Sequence, residues 1–136
     1  MAYGDGDASL CAMGGEPGVA KLVERFYDLM ETLPEVTTIR EMHPADLGLS
    51  REKLTAFLTA WLGGPKRYSE RWGTIRIPRA HARFPIGPDE RDQWLLCMDR
   101  AIDEMDVASA FANYFKGAIR VPANRIVTAC QRRAAE

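Results

Sequence analysis

Gly63-Gly64-Pro65-Lys66-Arg67-Tyr68, followed by Gly73 and then by His81-Ala82-Arg83-Phe84-Pro85-Ile86, is the stretch on which the reading of this chain turns. It shows neither helical nor alternating periodicity, and the sequence predicts a long loop from Lys66 to Gly87 with at most one helical turn around His81. Loops of that length are either disordered or functional. Apolar residues at Trp72, Ile75, Ile77, Phe84 and Ile86 argue against disorder, because a disordered segment is poor in such side chains. The segment therefore needs something to wrap.

On both sides of this loop the apolar residues recur at three- and four-residue steps, which predicts an all-α protein. Pro17 opens a helix that buries Val19, Leu22, Val23, Phe26, Met30 and Leu33, with Tyr27 beside that stripe. Pro34 to Leu49 is irregular, and Pro44 disfavours the α region at His43 and so places it on a corner. Ser50 suits the N-cap of the next helix, which lines up Leu54, Phe57, Leu58, Trp61 and Leu62 before Gly63-Gly64-Pro65 ends it. Beyond the loop, Pro88-Asp89-Glu90 begins a helix carrying Trp94, Met98, Ala101, Ile102 and Met105 on one face. A last helix is expected from about Val107 to Arg120, stopped by Pro122.

The totals exclude several classes of function. The chain has 136 residues, 46% hydrophobic and 27% charged, which suits one soluble domain (1–136) with a short arm at 1–13 and a tail at 121–136. A net charge of −1 without a basic stripe removes the electrostatic footprint of a nucleic-acid binder. No apolar run nears the roughly 20 residues of a membrane span, and nothing at the N-terminus reads as a secretory signal, so a cytoplasmic location is the expectation. Three cysteines, Cys11, Cys97 and Cys130, lack any paired spacing and do not form a disulfide framework or a zinc knuckle.

Two histidines occur, His43 and His81, both on irregular segments flanked by apolar residues. An imidazole so placed is either a hydrogen-bonded loop residue or an axial ligand to haem iron, where a single histidine leaves the far face of the porphyrin open.

The loop quoted above resembles the signature of the group II truncated haemoglobins. Glu90-Arg91-Asp92-Gln93-Trp94-Leu95-Leu96-Cys97-Met98 is similar to the opening of that family's G helix, and Phe26-Tyr27 to the middle of its B helix. The resemblance covers roughly Gly14 to Phe115. It implies a shortened globin, a two-over-two helical sandwich with the B and E helices over G and H, enclosing haem b. It also implies that His81 is the proximal iron ligand and that Tyr27, His43 and Trp94 form the distal site. Further pocket residues implied are Phe26, Pro44, Leu47, Leu54, Phe57, Leu58, Phe84, Ile86 and Met98, with Ser50 leaving a path from solvent. Lys53, Tyr68, Arg76 and Arg79 are candidates for the haem propionates.

The expected function is binding of O2 and other diatomic ligands at ferrous haem, in a monomer or homodimer served by an unidentified reductase. O2 bound to ferrous iron carries partial negative charge on its outer atom, which a phenol hydroxyl and an indole N–H stabilise once water is excluded. Two donors of about 1 kcal/mol each would slow ligand loss about thirtyfold. The same pocket could serve a nitric oxide dioxygenase or a peroxidase-like enzyme, and a helical interaction module without haem is the reading from another class.

Overall fold

In the computed structural model of the chain, which describes residues 2–73 and 86–135, the secondary structure of the described residues is helical throughout. In chain order the elements are α1 (Ala8–Met13), α2 (Gly15–Thr32), a 3-10 turn (Pro34–Val36), α3 (Thr37–Glu41), α4 (Gly48–Trp61), α5 (Arg67–Trp72), α6 (Pro88–Asp103) and α7 (Ser109–Ala135). His81, Arg76, Arg79 and Phe84 lie outside the described residues.

The long helices follow their apolar periodicity. On α2 the residues Val19, Leu22, Val23, Phe26, Tyr27, Leu29 and Met30 are buried, and the helix ends at Leu33, whose extended backbone is what a following proline demands. α6 begins at Pro88, with Glu90 Oε1 accepting the Gly87 N–H at 2.7 Å in the manner of a capping box. Its buried face is Leu95, Cys97, Met98, Ala101 and Ile102. α2 packs against both α4 and α6, and α6 against α7, so that one core of Phe26, Leu58, Met98, Ile102, Phe111 and Phe115 runs between the two helix pairs. This is the layering expected of helix on helix around one interior.

Gly63 is a position where only glycine fits. Its φ is 98°, and a Cβ there would stand 1.9 Å from the Gly6 carbonyl oxygen. The end of α4 is thereby drawn onto the N-terminal arm, and the Leu10 N–H donates to the Leu62 carbonyl at 3.1 Å. The arm is not loose chain: α1 buries Leu10 and Met13.

Four local expectations are corrected. α4 starts at Gly48 rather than after a Ser50 cap, because Asp46 Oδ1 accepts the Gly48 N–H at 2.8 Å and turns the chain two residues earlier. Residues 34–49, expected to be irregular, contain the 3-10 turn and α3, although His43 does fall in a bend after them. The stretch read as loop from Lys66 opens with α5, a six-residue helix without a buried residue and held from outside by Arg67 to Glu16 at 3.2 Å and Arg71 to Glu52 at 3.6 Å. The last helix does not stop at Pro122 but continues to Ala135, since Ala123, Val127 and Cys130 extend the buried stripe of Phe111, Phe115 and Ile119. That burial offsets the roughly 3 kcal/mol a proline costs inside a helix.

Candidate functional site

Three elements deliver the polar groups expected at the distal site. Tyr27 comes from α2, His43 from the bend after α3 and Trp94 from the first half of α6. Tyr27 and Trp94 pack on Phe26, itself fully buried, and His43 packs on Tyr27. The Phe26 ring centroid lies 4.9 Å from that of Tyr27, edge to face, and 5.1 Å from that of Trp94. Tyr27 and His43 meet edge to face at 6.1 Å. Such separations are those of interacting aromatic pairs.

The polar ends are held by backbone. The Tyr27 hydroxyl donates to the Ser50 carbonyl oxygen at 3.3 Å, and burial raises its pKa well above the usual phenol range, with the Arg51 charge pulling the other way. His43 Nδ1 lies 2.7 Å from the Ile39 carbonyl oxygen. A carbonyl only accepts, so Nδ1 carries the proton and, in the neutral ring, Nε2 is the accepting nitrogen. The Ile39 N–H in turn donates to Gln93 Oε1 at 3.4 Å, one residue before Trp94, which ties the corner to α6.

Around this cluster the other expected pocket residues divide. Leu47, Leu58 and Met98 are buried, Leu54, Phe57, Ile86 and Ser50 half-buried, and Pro44 exposed. Phe57 and Trp61 stack at 6.3 Å. Leu54, Phe57, Trp61 and Trp94 pack against the core and keep part of their apolar surface uncovered. An apolar, planar group with a charged edge fits such a wall: the faces meet hydrocarbon and indole, and cations wait nearby. Lys53 Nζ stands 5.8 Å from the Trp72 ring centroid, Arg71 Cζ 4.3 Å from the same centroid, and Tyr68 packs on Trp72 at 5.2 Å.

Two contributors were not legible as site residues. Arg51 lies over the Tyr27 ring, its Cζ 5.5 Å from the centroid, and Gln93 holds the Ile39 backbone. A signal for Arg51 exists in the spacing of Glu24, Asp28 and Glu31, which fall on one edge of α2 and call for a cation opposite.

Comparison with known proteins agrees with this fold. The bacterial-like globin family matches residues 11–121. The group 2 truncated haemoglobin YjbI of Bacillus subtilis is 31% identical over 113 residues, 83% of each chain. Among solved structures, the group II 2-on-2 haemoglobin from the plant pathogen Agrobacterium tumefaciens superposes with a TM-score of 0.84 at 39% identity, covering 93% of this chain and 94% of that one. The cold-adapted truncated haemoglobin of the Antarctic marine bacterium Pseudoalteromonas haloplanktis gives 0.85 at 30% identity, covering 88% and 96%. With α2 and α4 as one layer and α6 and α7 as the other, the chain belongs to the bacterial-like globins, a family whose cofactor is haem b, and within it to the group II truncated haemoglobins.

Proposed function

We propose that this chain holds haem b through His81 and binds O2 and related diatomic ligands at its iron, with Tyr27, His43 and Trp94 as the distal polar groups. The observation that carries the reading is that Tyr27 and Trp94, from separate helices, both pack on the fully buried Phe26, while His43 meets the Tyr27 ring from a third element. Membership of the globin family supports ligand binding at haem iron.

Haem supplies a ferrous centre to which a diatomic molecule can attach as an electron-accepting ligand. The protein's part is to hold that group and to meet the charge that develops. His81 would hold the iron, while Lys53, Tyr68, Arg76 and Arg79 would meet the propionates. Leu54, Phe57 and Leu58 exclude water, which strengthens every hydrogen bond made in the pocket. The Tyr27 hydroxyl has one proton, resting on the Ser50 carbonyl by a long 3.3 Å bond that costs little to exchange for a better acceptor. Trp94 brings an indole N–H, a donor only. His43, with its Nδ1 proton committed to Ile39, has no second proton to give in the neutral ring, which leaves Tyr27 and Trp94 as the donors to a bound ligand. A reductase partner would return oxidised iron to the ferrous state.

The test is an absorption spectrum of the purified chain, supplemented with haem, in ferric, ferrous and CO-bound forms. A five-coordinate ferrous spectrum that shifts on CO addition is expected. Absence of any Soret band after haem addition would overturn the reading in favour of a haem-free interaction module.

A further inference from the structure

Arg51 directly follows Ser50 on α4 and reaches across to α2. Its Nη1 donates to the Glu24 carbonyl oxygen at 3.2 Å and stands 3.8 Å from Glu24 Oε1. Its Nη2 lies 3.4 Å from Asp28 Oδ1 and 3.6 Å from Glu31 Oε1. The arginine side chain is 26% exposed, less than each of the three carboxylates it meets. An isolated surface ion pair contributes little, but one guanidinium shared among three carboxylates and a main-chain carbonyl is a network with defined geometry. That network joins the two helices at the residue next to Ser50, whose carbonyl receives the Tyr27 hydroxyl. The same guanidinium sits over the Tyr27 ring at 5.5 Å, within the reach of a cation–π contact.

We propose that Arg51 is a positioning residue for Tyr27: it sets the spacing of α4 on α2 that keeps the phenol aimed into the site, and its charge over the ring strengthens the hydroxyl as a donor. The proposal rests on the reading of Tyr27 as a distal donor. A cation above the ring draws electron density from the phenol oxygen, and a better donor holds a negatively polarised ligand longer. Arg51 itself reaches the ligand only through Tyr27.

The experiment compares O2 dissociation by rapid mixing from the haem-loaded full chain and its Arg51→Gln, Tyr27→Phe and doubly substituted forms. Arg51→Gln is expected to raise the dissociation rate about threefold or more, and to change it by less than about 1.5-fold once Tyr27 is phenylalanine, because coupled residues are not additive. Arg51→Lys keeps the charge but not the fork, so its rate should lie between the two. In the diamagnetic CO-bound protein, the Tyr27 ring-carbon resonances should move in Arg51→Gln and return part of the way in Arg51→Lys, a change that a general loss of stability does not produce. If the Arg51→Gln effect is undiminished in the Tyr27→Phe background, Arg51 acts elsewhere and the proposal fails while the role of Tyr27 stands. An O2 dissociation rate unaltered by Tyr27→Phe removes the distal reading of Tyr27 and the proposal with it. Should Arg51→Gln not fold, Arg51→Lys carries the test alone, and wild-type rates and resonances in that variant would refute the role of the fork.

Discussion

The Nδ1 of His43 and the carbonyl oxygen of Ile39 lie 2.7 Å apart, one turn of chain from each other. This contact selects the tautomer of the ring and therefore which nitrogen can face Tyr27. Long-range 15N–1H correlation spectra of the neutral imidazole should show the proton on Nδ1. A dominant Nε2–H form would mean that His43 does not donate to the Ile39 carbonyl.

Removal of the His81 imidazole tests the proposed iron ligand. His81→Ala is expected to lose stable haem incorporation, or to regain it only with added imidazole. Unchanged ferric and ferrous spectra in that variant would show that iron is held by another group.

Trp94 tests the distal side separately. Replacing it with leucine keeps an apolar side chain against Phe26 but removes an N–H donor, and O2 dissociation should quicken about tenfold or more. An unchanged rate would make Trp94 a packing residue only. Rapid mixing of the oxygenated protein with nitric oxide would then decide between storage and turnover, with fast nitrate formation expected only of a dioxygenase.

Core packing yields a stability prediction independent of haem chemistry. Phe115 is fully buried between Phe111 at 6.1 Å and Trp61 at 6.1 Å, so Phe115→Ala should cost about 3–5 kcal/mol in urea denaturation. Val121 is 52% exposed on the same helix, and Val121→Ala should stay within about 0.5 kcal/mol. Similar costs for the two would contradict the assignment of the buried face.

The buried thiol of Cys97 adds a pH dependence. Burial pushes it up to about 11 from an ordinary value of 9.0. As pH rises from about 9, the unfolded chain releases this proton before the folded one does, so the unfolded state binds fewer protons and stability falls. The loss should grow through about pH 11, and Cys97→Ala should flatten it between pH 9 and 10. At pH 8 a thiol reagent should modify exposed Cys11 and leave Cys97.

Helix existence was legible wherever a stripe was long. Val19 to Met30, Leu54 to Leu62 and Trp94 to Ile102 each repeat the 3.6-residue period several times, which leaves the backbone one economical way to bury them. What escaped the same reading was short or non-local. α5 has six residues and no buried side chain, and its ion pairs to Glu16 and Glu52 come from distant parts of the sequence. Pro122 carries a strong local signal to stop, and it was overridden by contacts that only α7's neighbours supply.

From the residues alone came an all-α chain with Tyr27 and Trp94 close to buried stripes and His43 on a corner, because periodicity and proline act within a few residues of where they occur. The tertiary structure alone decided that the Tyr27 hydroxyl rests on Ser50, that the His43 ring comes within 6.1 Å of Tyr27, and that Arg51 crosses to the acidic edge of α2. Those pairings join residues 16 to 27 positions apart, and their distances depend on how helices cross, which is set by the packing of whole faces rather than by any local run of residues.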